Sequence, residues 1–162
     1  MVDKILNINK ATKVAEDLHK LGEQIILVGG CFDILHVGHI EFLSKAKELG
    51  GQLLVILESD DSVRKLKGIS KPVIKQDDRA ILLSSLKMID YIIKIPNFNN
   101  DNKYLMLVKK IKPDIIAITK GDPVKNKKIK QAVIVNAKVV EVIKRKRSYS
   151  TKKIIETILT KA

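Results

Sequence analysis

The chain has 162 residues, 45% of them hydrophobic and 30% charged, with a formal net charge of +13. That length supplies one sizeable core, and that balance excludes a disordered or fibrous chain. Apolar runs such as 25–28 and 53–57 fall far short of the ~20 residues of a membrane span; the first residues carry no signal-peptide core; and the single cysteine, Cys31, excludes an internal disulfide or a cysteine-rich zinc site. The expectation is one soluble, cytoplasmic domain over residues 1–162.

Residues 9–21 read as an amphipathic helix, with Ala11, Val14, Ala15, Leu18 and Leu21 on one stripe and Gly22 as its stop. Residues 1–23 are therefore expected as a helical extension ahead of the sheet. Residues 24–28 form a continuous apolar run ending in Gly29-Gly30, which predicts a buried parallel strand. A helix over 38–49 follows, with Ile40, Leu43 and Ala46 inward, then a second strand over 52–57. A short helix is predicted over 60–66 and a flexible loop over 67–75, which holds Gly68 and Pro72. Asp77 or Asp78 caps a helix running to about residue 88. A third strand over 91–95 is cut off by Pro96, and a polar loop and a helix lead to residue 111. The fourth strand covers 114–119, and a loop over 120–126 leads into a lysine-rich helix. The fifth strand covers 137–143, followed by a basic loop over 144–149. The last helix, 150–159, has Ile154, Ile155, Ile158 and Leu159 as its core face.

Strands alternate with helices throughout. The predicted class is α/β: a Rossmann-like, doubly wound, mostly parallel sheet of five strands with helices on both faces. Ligands of such sheets bind beyond the carboxyl ends of the strands. The segments that reach that edge are 29–39, 58–67, 120–123 and 144–151.

The positive charge is regional. Residues 109–153 hold 15 lysines and arginines against three acids, whereas residues 1–108 hold 15 against 14. An anionic partner for the C-terminal third is one reading, and a solvated lysine-rich surface is the other. A nucleic-acid surface normally adds arginine and stacking aromatics. Here 27 of the 31 basic residues are lysine, with three Phe, three Tyr and no Trp, so nucleic acid is not the expected partner.

The chemistry lies in Gly29-Gly30-Cys31-Phe32-Asp33-Ile34-Leu35-His36-Val37-Gly38-His39. Two glycines let the backbone pass close to a ligand. Two histidines flank Gly38 where a helix begins, and a helix N-terminus offers free amide donors and the positive end of a dipole. Gly38 leaves room for a phosphate, to which His36 and His39 donate. Cys31 has no base–orienter pair beside it and reads as a small buried residue, not a nucleophile. The segment is neither a Walker loop nor a G-x-G-x-x-G fingerprint.

This stretch resembles the H-x-G-H signature of the nucleotidyltransferase superfamily, in its cytidylyltransferase-like branch. The resemblance continues through residues 41–51, through Ser59-Asp60-Asp61-Ser62-Val63-Arg64-Lys65-Leu66-Lys67-Gly68, Asp78-Arg79, Lys112-Pro113-Asp114 and Lys120-Gly121-Asp122, and ends at Ser150-Thr151. It covers roughly residues 24–160. Within the branch the chain is most similar to the adenylyltransferases of heptose 1-phosphate. Glycerol 3-phosphate cytidylyltransferases and FAD synthases are near neighbours.

The resemblance implies transfer of a nucleoside monophosphate from a triphosphate to a small phosphorylated acceptor, with Mg²⁺, in a homodimer. It places His36 and His39 on the phosphates and Lys67 over the α-phosphate and the acceptor. Gly30, Gly38 and the main chain of Cys31 and Phe32 would line the phosphate site. Asp33 would orient that site or the metal shell and is the one protein group considered for the metal. Arg145, Ser150 and Thr151 would hold the β- and γ-phosphates, and Lys120, Gly121 and Asp122 the nucleoside. Arg79 is either a nucleotide contact or an ion pair with Asp77 or Asp78. The chain departs from the family in two places. Ser148 stands where many relatives have glycine, and Lys120-Gly121-Asp122-Pro123 stands where heptose-type enzymes often read Lys-Gly-Gly-Asp.

Overall fold

The computed structural model describes residues 3–144 and 150–161. Within them β1 (Ile5–Leu6), β2 (Ile25–Gly30), β3 (Gln52–Leu57), β4 (Tyr91–Lys94), β5 (Ile115–Lys120) and β6 (Lys138–Lys144) form one sheet. Between and after them come α1 (Ile8–Lys20), α2 (Val37–Lys47), α3 (Asp60–Lys67), α4 (Gln76–Ser84), α5 (Asp101–Ile111), α6 (Lys125–Val135) and α7 (Thr151–Lys161). The strand order is β1-β4-β3-β2-β5-β6, and every pairing is parallel.

The alternation of the strands builds the two cores. In β2, Ile25 and Leu27 face one side with Leu54, Ile56, Ile93 and Ile116, under α1, α5 and α6. Ile26 and Val28 face the other side with Leu53, Val55, Leu57 and Ile92, under α2 and α4. Period-2 side-chain placement makes this segregation automatic once both faces are covered.

Two side chains pin the amino edge of the sheet. Asp114 accepts from the amide of Ile25 at 2.8 Å, and Asp90 accepts from the amide of Leu53 at 2.7 Å. Lys112-Pro113-Asp114 thus has a structural use: Lys112 ends α5 in the left-handed region, with φ of 48°, and Asp114 ties the next strand to β2.

Four expectations need correction. The sheet has six strands and is wholly parallel, because Ile5–Leu6 adds an edge strand against Ile92 and Ile93. Two residues are too few to carry a period, so the pattern could not announce them. With β1 in the sheet and Ala11, Ala15 and Leu18 of α1 in the core, residues 3–23 belong to the same layers as the rest. Leu21, expected on that buried stripe, caps the helix and is exposed. In α7, Ile158 and Leu159 are 60% and 73% exposed rather than core.

The topology fixes where a ligand goes. The chain winds outward from β2 through β3 to β4, then returns to place β5 on the other side of β2. The β2–β3 pairing runs to Gly30↔Leu57, whereas the β2–β5 pairing stops at Leu27↔Ile116. The carboxyl ends of β2 and β5 therefore part, and a crevice opens at the topological switch point.

Candidate active site

The turn that follows β2 is strained. Phe32 and Ile34 both sit at positive φ, 48° and 47°, a region costly for non-glycine residues and tolerated where the surroundings enforce it. Here they do. The Phe32 ring is buried and fills the space over Gly30, where an added Cβ would come within 2.9 Å of it. The same ring meets the edge of His39 at 5.2 Å between centroids. Gly30 thus makes room for a protein ring that supports His39.

Asp33 is fully buried. Its carboxylate accepts from the amide of Val73 at 2.9 and 3.1 Å and from that of Ile74 at 3.0 Å. Its carbonyl accepts from the Thr151 hydroxyl at 2.6 Å. One residue therefore ties the loop after α3 and the start of α7 to the histidine turn. The segment read as a flexible loop is anchored at its far end by these two amides. The Asp33 oxygens are committed to them, not presented to a metal shell. Among the described residues no group of three His, Cys, Asp or Glu side chains is placed to hold a metal ion.

Arg79 is the second organiser and is 1% exposed. Its guanidinium donates to the carbonyls of Cys31, Glu58 (3.0 Å) and Ile74 (2.9 Å), and to the Asp60 carboxylate at 2.7 Å. Its ion pair is with Asp60, not with Asp77 or Asp78, and Asp77 pairs with Lys94. The fork of donors suits this use, since guanidinium geometry can bridge several acceptors at once.

His36 is the N-cap of α2, with extended backbone (φ −142°, ψ 171°). It stacks on His39 with ring centroids 3.8 Å apart and planes 21° apart. Two protonated rings would repel at that distance. Burial pushes His39 down to about 3, helped by His36 and by Lys67. Burial first, then Lys67, also lowers His36. Both imidazoles are therefore neutral at pH 7, and each buried Nδ1 lacks a protein partner. Such rings are poised to donate to an anion without first losing a competing bond. Because the folded values lie below the free value near 6.5, the stability these rings contribute is complete above that pH. It is lost as pH falls from 6.5 toward 3. An NMR titration of the ring carbons in the ligand-free protein is expected to give both midpoints below 6.5, with His39 lower; midpoints at or above 6.5 would contradict the packing.

Lys67 ends α3, exposed, and its charge acts on His36, His39 and Cys31. Burial pushes the Cys31 thiol up, so it stays protonated. Gly38 lies in the first turn of α2, whose leading amides have no helical acceptor. Ser150 caps α7 by accepting from the amide of Lys153 at 3.2 Å. Through Thr151 and Asp33, the α7 N-terminus is drawn to the α2 N-terminus. Arg145 lies outside the described residues.

Lys120, Gly121 and Asp122 lie at the carboxyl end of β5, across the crevice. Gly121 takes φ of 82°, and Asp122 accepts from the amide of Val124 and from Lys128, both at 2.8 Å. Other α6 lysines are paired as well, Lys125 with Glu141 and Lys127 with Asp101. Part of the regional positive charge is thus balanced within the fold.

The stacked His36–His39 pair thus lies at the start of α2, beyond the carboxyl end of β2 in the middle of a wholly parallel sheet. The chain belongs to the cytidylyltransferase-like family, which matches residues 27–157. It is 45% identical over 143 residues to the bifunctional protein HldE of a Nitratiruptor species, covering 88% of this chain and 29% of that protein. With the bifunctional protein HldE of a Helicobacter pylori strain it shares 40% over 146 residues, 90% of this chain and 30% of that one. The chain thus spans about three-tenths of the length of these relatives. Among solved structures, the lipopolysaccharide core biosynthesis protein from Thermoplasma volcanium superposes with a TM-score of 0.63 at 28% identity, covering 77% of this chain and 100% of that one. Pantoate-beta-alanine ligase from Francisella tularensis shares the fold, with a TM-score of 0.62 at 19% identity over 89% of this chain and 68% of that one. No helix among the described residues is long and apolar enough to cross a membrane.

Sequence reasoning points to the segment beginning at residue 58 but not to Glu58 itself, and it does not single out Tyr104. The Tyr104 hydroxyl sits 2.9 and 3.1 Å from the two Glu58 carboxylate oxygens. A lone acid at a strand end and a tyrosine in an amphipathic helix carry no joint signal at a separation of 46 residues.

Proposed function

We propose that the chain transfers AMP from ATP to a sugar 1-phosphate of the heptose type, giving an ADP-sugar and pyrophosphate. The observation that carries the transfer chemistry is the stacked, neutral His36–His39 pair at the start of α2, in a turn whose Asp33 carbonyl accepts from Thr151 at the start of α7. The acceptor class is supported by the 40–45% identity to the HldE proteins and by the resemblance carried in the sequence motifs.

In this reading the α-phosphate lies against His36, His39 and the main chain of the α2 start. A phosphate oxygen of the acceptor attacks the α-phosphorus, the new P–O bond forms, and the bond to the β-phosphate oxygen breaks. The nucleophile is already ionised, so the step needs no general base and no covalent enzyme intermediate. What the protein supplies is alignment and charge stabilisation. The imidazoles donate to charge as it develops. Lys67 neutralises the α-phosphate and acceptor. Ser150 and the α7 dipole receive the leaving pyrophosphate. Lys120, Gly121 and Asp122 would face the nucleoside.

The Asp33 carboxylate accepts from two amides, so in this reading Mg²⁺ would be held by phosphate oxygens and water, its usual mode, rather than by that side chain. When bound, it neutralises charge on the leaving pyrophosphate. A homodimer and a cytoplasmic setting belong to the same reading on the strength of the family resemblance and composition.

The test is pyrophosphate release with Mg²⁺, pairing ATP or CTP with heptose 1-phosphate, glycerol 3-phosphate or FMN. Release with ATP and the heptose phosphate is expected. Release confined to CTP and glycerol 3-phosphate would move the protein to the cytidylyltransferase neighbour. Release only with ATP and FMN would make it an FAD synthase.

A further inference from the structure

Glu58 follows the last residue of β3, and its amide donates to the carbonyl of Gly30 at 3.1 Å. That bond seats it beside the beginning of the phosphate turn. Strand alternation sends Leu57 to the face of α2 and α4, and it sends Glu58 to the opposite face. There Tyr104, on the first turns of α5, meets the carboxylate. Phe98 fixes the Tyr104 ring edge-to-face, with centroids 5.0 Å apart and planes at 88°.

The pair leaves acceptor capacity unused. Tyr104 has one hydroxyl proton and serves one carboxylate oxygen at a time. Ser62 acts on the same carboxylate, while its hydroxyl donates to Asn97 Oδ1 at 3.5 Å. A carboxylate offers about four acceptor positions, so more than one remains on this half-buried group. Burial pushes the Glu58 carboxyl up, while Tyr104, Ser62, Arg79 and Lys128 hold it down.

The reaction proposed above gives Glu58 no proton to move. A carboxylate near an anionic phosphate repels it, so its use lies with another part of the bound molecule. Hydroxyl groups are donors that a carboxylate accepts strongly. The nucleoside side of the crevice is formed by β5 and the turn after it, whereas Glu58 lies on the β3 side.

We propose that Glu58, oriented by Tyr104, accepts hydrogen bonds from hydroxyl groups of the acceptor and so selects polyhydroxylated phosphates over phosphates without hydroxyls. This rests on the reading that the acceptor is a small phosphate. Glu58 is the specificity-determining group, and Tyr104 is a positioning residue.

Calorimetric titration tests it, with the protein held in Mg²⁺ and a non-hydrolysable ATP analogue. Heptose 1-phosphate, glycerol 3-phosphate and ethyl phosphate are compared. The wild-type chain is expected to bind at least one hydroxylated phosphate about 10-fold or more tighter than ethyl phosphate. Glu58→Gln and Tyr104→Phe should each cut that preference about fivefold, with affinity for the ATP analogue and melting temperature unchanged. Absence of a preference in the wild type would overturn the proposal. So would a preference that survives Glu58→Gln, or a loss that falls on the ATP analogue instead. Failure of the adenylyl-transfer reading shows separately, as no pyrophosphate release from ATP with these acceptors, and leaves the binding comparison readable.

Discussion

Replacing His39 by Ala is expected to lower turnover by at least ~100-fold, the scale of losing a preorganised donor at a charged transition state. His36→Ala should fall in the same range. The two losses should not multiply in the double variant, because the rings stack at 3.8 Å and act on one phosphate. Stability should fall only modestly: each Nδ1 lacks a protein partner, so no polar group is left unpaired, and the loss is the ring packing against Phe32 and the other imidazole. Steady-state kinetics beside a thermal melt separates the two effects. Wild-type turnover in both single variants, with a normal fold, would remove the imidazoles from the mechanism.

Arg79→Met should be the most destabilising of these substitutions. It leaves three half-buried carbonyls without their donor and the Asp60 carboxylate without its partner. Breaking a buried charged network of this kind costs about 3–5 kcal/mol. For a domain of this size that corresponds to a fall in melting temperature of about 10 °C. Turnover should fall as well, because the Cys31 carbonyl and the Ile74 carbonyl belong to the two loops that shape the site. A stable variant with only its ATP affinity lost would instead make Arg79 a nucleotide contact.

Long strongly patterned stretches were legible because their signal is local. The runs at Ile25–Gly30 and Gln52–Leu57 bury both faces and so read as unbroken apolar segments. The turn with His36 and His39 was legible for the same reason: strand, glycines and helix start adjoin in sequence. What escaped depends on distant partners. Asp33 meets Val73 across 40 residues, Arg79 meets Cys31 across 48, and Thr151 meets Asp33 across 118. No period or motif length reports such pairs, so Asp33 read as a candidate metal group when its oxygens hold main-chain amides. The apolar stripe of α7 misled in the opposite direction, because a helical period says which residues share a face but not whether anything covers it.

If the chain works as proposed, the triphosphate lies between two helix starts, against the imidazole pair. The most direct measurement is the structure of the chain with Mg²⁺ and a non-hydrolysable ATP analogue. The α-phosphate is expected within hydrogen-bond distance of the His36 and His39 ring nitrogens, the terminal phosphates at Ser150 and the start of α7, and the nucleoside beside residues 120–122. A nucleotide bound away from His36 and His39, or with its phosphates remote from the α7 N-terminus, would contradict the proposed mechanism.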